Sequence, residues 1–119
     1  MILNVDDDEA RLFTRNSWLQ GAKYEVISAK TGSEAIDLAL RHHPEAILLD
    51  VHLPDIGGTE VCRRLKARAE FRATPVILIS ALFRSPHDQL EGLNEGALFY
   101  LTEPVTRETL LDAVRRALG

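Results

Sequence analysis

Asp6, Asp7, Asp50, Ser80 and Glu103 are the side chains in this sequence whose types and spacing could do chemistry together. Asp6-Asp7-Asp8 follows Ile2-Leu3-Asn4-Val5, Asp50 ends Ala46-Ile47-Leu48-Leu49, Ser80 ends Val76-Ile77-Leu78-Ile79, and Glu103 comes shortly after Leu98-Phe99-Tyr100-Leu101. Carboxylates crowded together repel, so they either hold a proton or recruit a cation. An all-oxygen set of a few carboxylates suits Mg²⁺. An Asp that shares such a cation can attack phosphorus, because the ion offsets negative charge on both nucleophile and phosphoryl group. A hydroxyl such as that of Ser80 can then hydrogen-bond a phosphoryl oxygen. Taken alone, Asp6 to Asp8 read equally well as an acidic helix start. Supply of the same edge by three separate stretches favours a cation site.

The elements that must position these groups alternate along the chain. Four apolar residues without polar alternation before Asp50 suit a strand covered on both faces, as in a parallel sheet flanked by helices. Ligands of such sheets bind at the C-terminal rim. Strands are expected at 2–5, 24–28, 46–50, 76–79 and 98–101. Asp8 is placed to cap a first helix in which Leu12, Asn16 and Leu19 share a face, with Gly21 as its left-handed stop. Thr31 and Glu34 have capping-box spacing for a helix that runs to about His43 and closes at Pro44. His42 and His43 sit at its C-terminal end, where partial positive charge is favourable. A third helix is expected from Thr59 to about Glu70, with Val61, Leu65 and Ala69 inward. A short one starts at Pro86, with Leu90 and Leu93 inward and Gly96 as its stop. The last is capped by Thr106, with Leu110, Val114 and Ala117 on one face. Five strands alternating with five helices imply a doubly wound parallel α/β sheet, since crossovers are right-handed.

The 119 residues, 45% apolar, fit a single domain, 1–119, with no room for a second. Net charge −4 and a pI near 5.5, with no basic stripe, argue against nucleic acid as a partner. The apolar runs fall far short of the roughly 20 residues of a membrane span, and the N-terminus has no signal-peptide pattern, so the expectation is a cytoplasmic protein without a membrane partner. The single Cys62, beside Val61 and Leu65, is expected to be a packed thiol.

From Ile2 to Leu118 the sequence resembles the receiver domains of two-component signalling. Ile-Leu-Asn-Val-Asp-Asp is similar to that family's first strand and acidic pair, Leu-Leu-Asp-Val-His-Leu-Pro-Asp-Ile-Gly-Gly to its phosphoacceptor segment, and Ile-Ser-Ala to its switch segment. The resemblance implies a flavodoxin-like sheet in the order 2-1-3-4-5. It also implies that a histidine kinase or histidine phosphotransfer domain donates a phosphoryl group to Asp50, and that Mg²⁺ is held by Asp6, Asp7, Asp50 and the main-chain carbonyl of His52. Ser80 is then the switch hydroxyl, Ala81 the small residue that leaves room for the phosphoryl group, Tyr100 the aromatic whose rotation is coupled to the hydroxyl, and Gly58 the glycine that opens the next helix. Such a domain is a phosphoacceptor rather than an enzyme.

The departure is Tyr-Leu-Thr-Glu-Pro, where Glu103 occupies the position of the family's usual lysine. In this the chain resembles those receivers attached to hybrid sensor histidine kinases that also lack the lysine and share Ile-Leu-Asn-Val-Asp-Asp-Asp and Tyr-Leu-Thr-x-Pro-Val. A glutamate beside a phosphoryl group on Asp50 repels it and leaves the switched state without a cationic clamp. Two other readings compete: a receiver-shaped interaction module that no longer uses phosphorylation, and a haloacid-dehalogenase-type phosphatase, whose Asp-x-Asp opening Val-Asp-Asp-Asp fits but for which the chain is too short. Leu98 and Phe99, with Leu82 and Phe83, are expected to form a partner or homodimer patch.

Overall fold

The structure, a computed structural model, describes residues 1–80, 90, 91 and 93–119. Five strands, β1 (Ile2–Val5), β2 (Val26–Ala29), β3 (Ala46–Asp50), β4 (Val76–Ser80) and β5 (Phe99–Thr102), form one parallel sheet in the order β2-β1-β3-β4-β5. Helices α1 (Glu9–Gly21), α2 (Gly32–His42), α3 (Gly58–Lys66) and α4 (Arg107–Leu118) connect and cover it, with a 3₁₀ turn at Ala69–Phe71. The expected α/β sheet and strand order are thus found. Of the expected helix that starts at Pro86, the described Leu90, Glu91, Leu93 and Asn94 are helical, while Pro86, like Ala81, Leu82 and Phe83, lies outside the described residues.

Residues alternate across the sheet into two cores. On one face Leu3, Val5, Ile47, Leu49 and Leu78 meet Ala35 and Ala39 of α2 and Val61, Cys62 and Leu65 of α3. On the other, Ile2, Leu48, Ile77 and Ile79 meet Leu19 of α1 and Leu110, Ala113 and Val114 of α4. Every residue of β1, β3 and β4 is buried, which is why their sequences carry no polar alternation. The Cys62 thiol is buried as expected, and burial pushes its pKa up to about 11.

Local chemistry sets the helix ends. Asp8 accepts the N–H of Arg11, Thr31 that of Glu34 and Thr106 that of Thr109, the three caps the sequence implies. Four details differ. The left-handed residue after α1 is Lys23 (φ 75°), and Gly21 stays helical. α3 ends at Lys66, so Ala69 is exposed and Phe71 from the 3₁₀ turn fills the core instead. Leu90 and Leu93 face outward. β2 begins at Val26 and β5 at Phe99, later than the apolar pattern suggests, because an edge strand needs fewer apolar residues. Gly96 does take the left-handed conformation (φ 106°).

Candidate metal and phosphoacceptor site

Strand register brings the acidic groups together. Val5 pairs with Leu49, so Asp6, the next residue, emerges from the rim beside Asp50, and Ser80 pairs with Thr102 on the other side. Ligand oxygens of Asp6, Asp7 and Asp50 lie within 4.8 Å of one another. Asp50 is 2% exposed. Its Oδ1 accepts the His52 N–H at 3.3 Å, and its Oδ2 is buried without a hydrogen-bond partner. Burial, reinforced by the charge of Asp6, pushes the Asp50 pKa up to about 6. An orphaned carboxylate oxygen beside two further carboxylates is a donor set with a place for a hard divalent cation, and Mg²⁺ fits it.

The loop after Asp50 is anchored twice. Gly58 donates to the Val51 carbonyl at 2.8 Å, and a Cβ there would lie 2.2 Å from the Asp50 carbonyl oxygen, so only glycine lets α3 start this close to the end of β3. Asp55 accepts from the N–H groups of Gly32 and Ser33 and from the Ser33 hydroxyl, at 2.8, 2.9 and 2.6 Å. These bonds, the Ser33 hydroxyl foremost, hold its carboxyl well below the usual range and tie the loop to the start of α2. Tyr100 is half-buried, its ring packed on the α2–α3 core.

Two arginines of α1 complete the site, and neither is singled out by the sequence motifs. Asp6, fully buried, accepts Arg11 Nη2 at 3.1 Å on Oδ1, and Arg11 Nε and Arg15 Nη1, each at 2.9 Å, on Oδ2. Arg11 Nη2 also stands 3.6 Å from Asp50 Oδ2 and 4.0 Å from Asp7 Oδ1. Arg15, 4% exposed, donates its Nη2 to Glu103 Oε1, and Glu103 Oε2 accepts the Val105 N–H at 2.8 Å. Arg15 thus neutralises Glu103, and both carboxylate oxygens are engaged. The signal was legible only as spacing. Arg11 and Arg15 are four residues apart on one helix face, so both reach the rim from the helix that follows Asp6.

Residues 2–115 match the response regulator receiver domain family, and the chain belongs to that family. It is 32% identical over 118 residues to the polar-differentiation response regulator DivK of Brucella ovis, which covers 99% of this chain and 95% of DivK. It is 41% identical over 114 residues to the response regulator PleD of Caulobacter vibrioides, covering 96% of this chain but 25% of PleD. The structure superposes on the chemotaxis protein CheY4 of Vibrio cholerae with a TM-score of 0.91 at 32% identity, covering 98% of this chain and 97% of the other. The fold and family expected from the sequence are thus found. Among the described residues, no helix is long and apolar enough to cross a membrane.

Proposed function

We propose that this receiver domain is a phosphorylation switch in which Asp50 accepts a phosphoryl group from a phosphohistidine of a histidine kinase or histidine phosphotransfer domain. The observation that carries the reading is the Asp50 carboxylate itself, buried, with one oxygen that accepts no hydrogen bond, among the oxygens of Asp6 and Asp7. Asp6, Asp7, Asp50 and the His52 carbonyl would hold Mg²⁺, which when bound offsets negative charge on carboxylate and phosphoryl group. An Asp50 oxygen forms the bond to phosphorus as the phosphorus–nitrogen bond breaks. The released electron pair returns to the imidazole nitrogen, which takes up a proton. The Ser80 hydroxyl then donates to a phosphoryl oxygen, and movement of Tyr100 carries the change to the surface where a partner binds. The protein acts in the cytoplasm as a phosphoacceptor, not as a turnover enzyme. Beryllofluoride, a phosphoryl mimic, tests this with Trp18 as the fluorescent reporter. Saturable, Mg²⁺-dependent binding that Asp50→Asn abolishes is expected. A wild-type protein that ignores both Mg²⁺ and beryllofluoride would be a phosphorylation-independent interaction module instead.

A further inference from the structure

Phosphorylation replaces the single negative charge of Asp50 with close to two, on a rim that also carries Asp6 and Asp7, so a cation of the chain within reach of it would offset the added charge. Among the described residues Arg11 and Arg15 carry the cations in contact with these carboxylates, and they are not equivalent. Arg15 is clamped at both ends, with Nη1 on Asp6 and Nη2 on Glu103, and it is almost wholly buried. It is a fixed part of the wall.

Arg11 is different in three respects. Its guanidinium lies among the very oxygens that would hold a cation: Nε and Nη2 on Asp6, Nη2 3.6 Å from Asp50 Oδ2 and 4.0 Å from Asp7 Oδ1. Its side chain is 35% exposed, and its remaining nitrogen, Nη1, stands 3.6 Å from Oδ2 of the half-exposed Asp8. It also borders a cavity of about 240 Å³ shared with Thr14, Arg15, Trp18, Glu103 and Val105, which gives the side chain room to move without disturbing the core. A cation that binds Asp6 and Asp50 has to take oxygens Arg11 now uses. The anion then closest to the displaced guanidinium is whatever Asp50 carries, and a guanidinium offers a phosphoryl group two parallel N–H donors.

We propose that Arg11 is a two-position residue: it stands in for the metal on Asp6 while the pocket is empty, and it pairs with the phosphoryl group on Asp50 once Mg²⁺ has displaced it. The inference rests on Asp50 as phosphoacceptor. It assigns to α1 the cation that the residue before Pro104 does not supply. The Arg15–Glu103 pair is what leaves Arg11 available, because Glu103 is already neutralised and does not compete for it.

The two positions predict effects of opposite sign, which simple damage to the site cannot produce. Arg11→Gln should bind Mg²⁺ alone several-fold more tightly, because no guanidinium competes for Asp6. In saturating Mg²⁺ it should bind beryllofluoride about tenfold more weakly, the factor that roughly 1.4 kcal/mol makes. Arg11→Lys should recover part of the beryllofluoride affinity. Both are read from Trp18 fluorescence in the full chain. A Mg²⁺ affinity that does not rise in Arg11→Gln, or a beryllofluoride affinity that does not fall, overturns the proposal while wild-type binding keeps Asp50 as phosphoacceptor. Failure of the wild type to bind beryllofluoride overturns both.

Discussion

Arg15 and Glu103, 88 residues apart in sequence, form an ion pair at the rim of the sheet, with the guanidinium almost entirely buried and its other nitrogen on Asp6. The pair makes a simple lysine-for-glutamate exchange costly. Glu103→Lys removes the partner of a buried cation and sets a second cation beside it, and breaking a buried pair typically costs about 3–5 kcal/mol. We expect Glu103→Lys to destabilise the fold by about 3 kcal/mol rather than to strengthen phosphoryl binding, and Arg15→Met in the same chain to recover part of the loss. Urea denaturation of the four variants of that cycle measures it. A coupling near zero would mean the pair contributes nothing.

Asp50→Asn should stabilise the fold. The Asp50 pKa is raised from 3.8 to about 6, chiefly by burial, so the folded chain binds this proton more readily than the unfolded chain. Stability from this group is therefore highest below about pH 4, falls as pH rises towards about 6, and stays low above it. At about 1.4 kcal/mol for each tenfold change in proton affinity, the charged carboxylate withholds roughly 3 kcal/mol from folding near neutrality. Asparagine keeps the shape without the charge. In buffer free of divalent cations, Asp50→Asn should melt several degrees higher than wild type at pH 7.5, and the gap should close towards pH 4. Equal melting temperatures at pH 7.5 would show that the buried charge carries no penalty.

What the sequence discloses and what it hides separate along physical lines. The strands were legible because β1, β3 and β4 are buried on both faces, so β3 and β4 are apolar up to their last residue and β1 is apolar but for the buried Asn4. The caps at Asp8, Thr31 and Thr106 were legible because capping is local. Asp6, Asp7 and Asp50 were legible because strand ends in a parallel sheet share one rim. Arg15 was not, because a buried arginine on an amphipathic helix reads as solvated until its partner is known, and Glu103 lies 88 residues away in sequence. Ala69 was misplaced for a related reason. Helical spacing continues past Lys66 on paper, but the chain tightens into a 3₁₀ turn to bury Phe71.

Leu98 and Phe99 part ways in the structure. Leu98 is 48% exposed, whereas Phe99 is partly buried against the core under α1 and α4. Phe99→Asp should cost about 2–4 kcal/mol by placing a charge in that core. Leu98→Asp should change stability by no more than about 0.5 kcal/mol. Leu98→Asp is therefore the variant that reports on self-association. Sedimentation that shows an unchanged monomer–dimer distribution in it rules Leu98 out of a homodimer interface.

Gly58→Ala tests how closely β3 and α3 must approach. The added Cβ would meet the Asp50 carbonyl oxygen at 2.2 Å and its carbon at 2.9 Å, both backbone atoms that cannot rotate away. The helix start must shift, at a cost of about 3 kcal/mol, the upper end for overpacking. Because the displaced backbone is that of Asp50, beryllofluoride affinity should fall as well. A variant as stable as wild type would show that the helix moves freely.

The pH dependence of Mg²⁺ affinity follows from the state of Asp50. A protonated carboxyl is a poor ligand for a hard cation, so binding is linked to loss of the Asp50 proton, whose pKa burial and Asp6 raise to about 6. Above that pH the carboxylate is charged and affinity should be flat. Below it, affinity should fall by about tenfold for each pH unit, since one proton must leave for each ion bound. Asp7 is the exposed member of the group and accepts only a distant contact from Arg11, so Asp7→Ala should lower affinity without altering the midpoint near pH 6. Asp50→Asn should weaken binding and remove the pH dependence altogether. Mg²⁺ present at about a hundredfold over its dissociation constant should stabilise the wild type by roughly 2.7 kcal/mol, and chelation by EDTA should reverse it. Titrations followed by Trp18 fluorescence between pH 5 and pH 8 decide the matter. A midpoint that persists in Asp50→Asn would assign the titrating group to another residue and remove Asp50 from the metal site.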